Sequence, residues 1–87
     1  VDLKLGTLNN KISANYFDLI TANLTKTQIM EFFDRMSRVL RERGTFIISG
    51  IQTEEKKEME KFFLAKKIVL SEALSEKGWI CFIAEKS

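Results

Sequence analysis

The chain has 87 residues, 45% of them apolar and 30% charged, with a formal net charge of +2. That size holds one domain with a modest core, and the near-balanced, interleaved charges exclude a dedicated nucleic-acid-binding surface. The single cysteine, Cys81, excludes an internal disulfide and fits a reduced cytoplasmic location; there is no histidine or metal-ligand cluster and no run long enough to span a membrane, and no signal peptide is visible in these residues.

Val1-Asp2-Leu3-Lys4-Leu5 opens the chain as a strand. Because it begins inside a strand and without methionine, the chain is expected to be a piece of a longer protein. A small domain with a processed N-terminus is the alternative. Gly6-Thr7-Leu8-Asn9-Asn10 reads as a turn or loop, and Lys11 to Tyr16 as a connector. In Phe17-Asp18-Leu19-Ile20-Thr21-Ala22-Asn23-Leu24, the apolar residues Phe17, Leu19, Ile20 and Ala22 cover both faces of a strand, as the interior of a parallel sheet requires. Asn23 falls at its C-terminal end, where open α/β sheets bind their ligands. Its carboxamide offers both an acceptor and a donor. Asparagine is equally a favoured helix N-cap, so ligand binding and capping both stand as readings of this residue.

From Thr25 the apolar residues Ile29, Phe32, Phe33, Met36, Val39 and Leu40 follow the three-four spacing of an amphipathic helix. Thr25 and Gln28 have capping-box spacing. Arg41 and Arg43 suit the last turn, and Gly44 suits a left-handed stop. Thr45-Phe46-Ile47-Ile48-Ser49 is the next strand. Thr53 is the expected N-cap of a second helix, with Glu54 and Glu55 in its first turn and Met59, Phe62 and Phe63 on its apolar edge. Lys67 to Leu74 and Trp79 to Ala84 read as two strands joined by a hairpin at Ser75-Glu76-Lys77-Gly78. Trp79 reads as core or edge packing, Cys81 as a buried structural thiol, and Ser49 as a strand-end residue facing the same sheet edge as Asn23.

The order strand, strand, helix, strand, helix, strand, strand predicts an α/β sheet with parallel crossovers, an antiparallel final strand and helices on both faces. The four glycines, Gly6, Gly44, Gly50 and Gly78, lie too far apart to form a phosphate or nucleotide loop.

The segment Asp18-Leu19-Ile20-Thr21-Ala22-Asn23-Leu24, then Ser49-Gly50-Ile51, then Lys77-Gly78-Trp79, resembles one family in sequence and order: the S-adenosylmethionine-dependent methyltransferases of protein eleven of the large ribosomal subunit. The resemblance runs from about Val1 to the C-terminus. It implies that residues 1–87 are a single partial domain, the C-terminal half of a Rossmann-like class I methyltransferase catalytic domain, supplying strands three to seven of a seven-stranded sheet. The cofactor it implies is S-adenosylmethionine, with the glycine-rich loop in the other half, so that the segment alone is expected to be inactive. Asn23 would contact cofactor and orient the substrate amine, and Gly6, Thr7 and Leu8 would flank the adenine. Thr25-Lys26-Thr27-Gln28 departs from the small apolar residues common after the motif, which leaves the exact substrate open.

The reaction implied is methyl transfer to a lysine side chain or N-terminal amine of a ribosomal protein, in the cytoplasm, without membrane or direct nucleic-acid contact. An RNA or small-molecule methyltransferase of the same fold and a non-catalytic α/β assembly module are the alternatives. With two strands missing, the strand carrying Asn23 is expected to have an exposed edge through which the segment self-associates.

Overall fold

The computed structural model describes residues 1–3 and 13–86. Five strands form one sheet among the described residues: β1 (Asp2–Leu3), β2 (Phe17–Asn23), β3 (Leu40–Gln52), β4 (Ile68–Glu76) and β5 (Trp79–Lys86). Their spatial order is β1-β2-β3-β5-β4. The first three are parallel, and β5 runs antiparallel to both neighbours. The final strand is therefore reversed, as the sequence implies, and inserted between β3 and β4.

Helix α1 (Lys26–Val39) joins β2 to β3, and α2 (Lys56–Ala65) lies between β3 and β4. Both crossovers step the same way across the sheet, and right-handed crossovers stepping in one direction place their helices on one face. The aromatic cluster follows from this. Phe33 of α1 lies 5.4 and 5.9 Å from Phe62 and Phe63 of α2 and 5.6 Å from Phe46 of β3, and Phe63 lies 5.5 Å from Phe82 of β5. Alternate strand residues Ile20, Ala22, Phe46, Ile48, Ile80, Phe82 and Ala84 complete this core, none more than 3% exposed. The departure from the expected architecture is that, among the described residues, both helices cover the same face.

Local sequence explains where α1 begins. The Thr25 hydroxyl accepts from the Gln28 N–H at 3.2 Å, and the Gln28 Oε1 accepts from the Thr25 N–H at 3.0 Å, a complete capping box. Its end differs from the expected stop at Gly44. Leu40 turns into extended conformation, is fully buried, and pairs with Phe17 of β2. Burial and strand pairing of Leu40 override the cationic C-cap pattern, and the left-handed residue is Arg43, not Gly44. Gly44 serves close packing instead, since a Cβ there would lie 2.7 Å from the Leu40 side chain. The cation at the helix end comes from a distant position. Lys86 Nζ donates to the Ser37 and Leu40 carbonyls at 2.6 and 2.7 Å.

Two further boundaries move. Thr53 begins a single 3-10 turn, Thr53–Glu55, rather than capping α2, and the Gln52 N–H is satisfied by Glu55 Oε1 at 2.9 Å. The hairpin connection shortens to Lys77-Gly78, both left-handed at φ 52° and 86°, the pattern of a two-residue turn matched to strand twist. Over Thr21–Ala22, β2 is not an open edge: β1 pairs with it there, and β3 pairs along its other side.

Candidate functional site

The carboxyl ends of β2 and β3 meet side by side, with Asn23 paired to Ser49 in register. The Leu24 N–H donates to the Ser49 carbonyl at 3.0 Å, and the Ser49 hydroxyl donates to the Ala22 carbonyl at 3.5 Å. Immediately beyond, the β3–β5 register shifts between Ile48 and Ile51. Gly50 occupies this irregularity at φ +94°, a backbone angle other residues rarely adopt.

Asn23 is exposed, and its side chain has no hydrogen-bond partner among the described residues. It does not cap α1, because Thr25 and Gln28 do so. Of the two readings the sequence left open for this residue, the structure removes capping. The carboxamide instead borders a cavity of about 720 Å³ on the side of the sheet away from the helices. Asn23, Ser49 and Gly50 form its polar wall, and Leu74, Trp79 and Cys81 form the facing apolar wall. Strand register builds that second wall: Leu74 is paired with Cys81 across the hairpin, and Trp79 lies two residues before Cys81 on the same face. Glu76 and Lys77 stand at the hairpin end of the cavity.

Trp79 and Leu74 are 53% and 54% exposed, so Trp79 is neither core nor covered edge, and Cys81 is half-buried rather than buried. Sequence reasoning missed this wall. The one signal available was the run of consecutive apolar residues in β5, Trp79 to Ala84, which fills both faces of a strand that the helices among the described residues cover on one face. Ser49 stands beside Asn23 as expected. Gly6, Thr7 and Leu8 lie outside the described residues.

A parallel sheet whose last described strand is reversed and inserted beside its central strand, with the Asn23 amide at the carboxyl edge, matches a partial Rossmann-like methyltransferase fold. The ribosomal protein L11 methyltransferase (PrmA) family model matches residues 2–87, and the chain belongs to that family. It is 38% identical over 69 residues to the ribosomal protein L11 methyltransferase of Anoxybacillus flavithermus, covering 79% of this chain and 22% of the relative. With the enzyme of the same name from Prochlorococcus marinus strain MIT 9515 it shares 32% identity over 79 residues, covering 91% of this chain and 26% of the relative. The crystal structure of the ribosomal protein L11 methylase from Lactobacillus delbrueckii subsp. bulgaricus superposes with a TM-score of 0.74 at 24% identity, over 82% of this chain and 37% of that one. The chain thus spans about a quarter of the length of these curated relatives.

Proposed function

We propose that this chain is the C-terminal part of a methyltransferase catalytic domain that transfers methyl groups from S-adenosylmethionine to an amine of a ribosomal protein, a lysine side chain or an N-terminal amine, in the cytoplasm. The observation that carries the reading is the Asn23 carboxamide, left free by the Thr25 capping box and facing an apolar wall across the cavity.

The residues present fit one side of such a site. Asn23 offers an amide with no hydrogen-bond partner among the described residues, and Gly50 packs closely beside it. Asn23, together with Gly6, Thr7 and Leu8, would hold the cofactor's near edge, while the glycine-rich loop would come from outside these residues. When bound, the cofactor supplies an electrophilic methyl carbon on a sulfonium. The residues of this chain then act on the incoming amine. Asn23 Oδ1 would accept an N–H of the amine and so orient its nitrogen lone pair, an alignment that in-line displacement needs. The apolar surface of Leu74, Trp79 and Cys81 packs against the methylene stem and disfavours the ammonium form, which has no lone pair to donate.

The test grafts this segment into the Anoxybacillus relative in place of the matching residues. Asn23→Ala should lower single-turnover methyl transfer about a hundredfold, roughly 3 kcal/mol of barrier, with the thermal midpoint unchanged. An unchanged rate per folded molecule removes Asn23 from the site. Transfer to an RNA or a free small amine, with none to ribosomal protein, favours the other methyltransferase reading. The segment alone is proposed to self-associate through an outer strand edge. A monomer in sedimentation at high concentration would count against that.

A further inference from the structure

We propose that Gly50 is a positioning residue: its bare Cα is the surface against which the Asn23 carboxamide rests, and this contact fixes the direction in which the amide faces the cavity. The proposal deepens the methyl-transfer reading and rests on it for its catalytic consequence, but the contact itself can be tested without any reaction.

Three observations converge on it. A Cβ on Gly50 would lie 2.6 Å from Asn23 Oδ1, 2.7 Å from the Leu24 carbonyl oxygen and 3.1 Å from the Leu24 nitrogen. All three lie closer than an ordinary van der Waals contact, and two belong to backbone that cannot swing aside. The space that a side chain would fill is therefore held by the amide oxygen of Asn23 and the backbone behind it. Second, the β3 backbone is brought there by the register shift between Ile48 and Ile51, with Gly50 left-handed at its centre. An irregularity of this kind re-aims a strand end next to a site. Third, the carboxamide has no hydrogen-bond partner among the described residues, so the contact with Gly50 is the restraint that these residues offer on its rotation. The hydrogen bond from Leu24 N–H to the Ser49 carbonyl locks the two strand ends together and keeps the contact in register.

The arrangement separates two needs that usually conflict. An amide held by hydrogen bonds is well oriented but occupied, whereas one packed against a bare Cα is oriented and keeps its hydrogen-bonding capacity. A misplacement of about 1 Å at a reacting group can cost about a hundredfold in rate, so such orientation is worth having.

The first experiment uses the chain as it stands. Side-chain ¹⁵N relaxation should give the Asn23 amide an order parameter close to that of rigid backbone, about 0.85, while the amide of Asn15, in an exposed turn, stays below about 0.6. Equal mobility of the two amides overturns the proposal, whatever any variant does. Next, Gly50→Ala should average the Asn23 amide resonances while those of the β3–β5 core persist; an unchanged Asn23 amide in a folded variant also overturns it. In the grafted enzyme, Gly50→Ala should lower kcat about a hundredfold with little change in KM for cofactor. In an Asn23→Ala background the same substitution should lower it no further, because its effect acts through the amide. Additive losses would show Gly50 acting on structure alone. If Gly50→Ala fails to fold, the wild-type relaxation measurement still decides. If the relaxation result holds but Asn23→Ala alone leaves the rate unchanged, the contact stands and the catalytic reading fails.

Discussion

The two faces of this sheet are written in the same strands with alternate residues, and they do different work. On the helix-covered face Ile20, Phe46, Ile48, Ile80 and Phe82 are at most 1% exposed and meet the phenylalanines of α1 and α2. On the opposite face their sequence neighbours Ser49 and Cys81 are half-buried, Trp79 is half-exposed and Asn23 is exposed. One face holds the molecule together, and the other, which no helix among the described residues covers, holds the polar and apolar walls of the cavity. Single-residue steps along a strand therefore move between stability and chemistry.

Substitutions that cross this division should show how clean it is. Phe33→Ala, at the centre of the aromatic cluster, should cost about 3–5 kcal/mol in denaturant unfolding, the largest single loss expected here. A loss under about 1 kcal/mol would mean the two helices do not form one core with the sheet. Lys86→Met removes the ammonium from two carbonyls at the end of α1 and should cost about 1.5–3 kcal/mol by the same measurement. Thr25→Ala breaks the capping box and should cost about 1 kcal/mol without altering methyl transfer per folded molecule. Asn23→Ala, two residues away, should do the reverse, staying within about 0.5 kcal/mol of the parent in stability. If these two variants behave alike, the division of labour between cap and site is wrong. The smallest effect lies at the rim, where Lys26 donates to Glu58 at 3.0 Å. That hydrogen bond raises the Lys26 pKa above its ordinary value of 10.5. A raised folded-state pKa stabilises fully below the ordinary value and is lost as pH rises through the folded one. Lys26→Met should therefore narrow its difference from the parent only in alkaline solution, which thermal melts across that range can measure.

Much of this architecture is legible in the residues. The spacing from Ile29 to Val39 and the Thr25–Gln28 pair mark α1, because both are local in sequence. The hairpin before Trp79 marks the reversed final strand, because its turn too is local in sequence. What stays hidden depends on tertiary partners. Arg41, Arg43 and Gly44 have the composition of a helix end, yet the helix stops at Val39 because Leu40 gains more from burial and from pairing with Phe17. The side on which α2 lies follows from the direction of strand addition, which spacing does not encode. Asn23 was visible as a candidate since it ends an apolar strand. Trp79, Leu74 and Cys81 were not, because only the insertion of β5 beside β3 brings them to the same cavity.

That insertion also has a timetable. A ribosome releases β2, α1, β3, α2 and β4 before β5, at about 5–20 residues per second. Until β5 arrives, β3 and β4 each present an unpaired edge, separated by roughly 10 Å, the width that one strand between two others occupies. The nascent chain thus spends that interval with a slot in the middle of its sheet, and the residues that fill it also deliver Lys86 to the end of α1. Closure of the core, satisfaction of the helix terminus and construction of the cavity wall all fall on the same eight-residue strand. A pause in translation ahead of Trp79 would prolong the one stage at which a strand from another molecule can take its place.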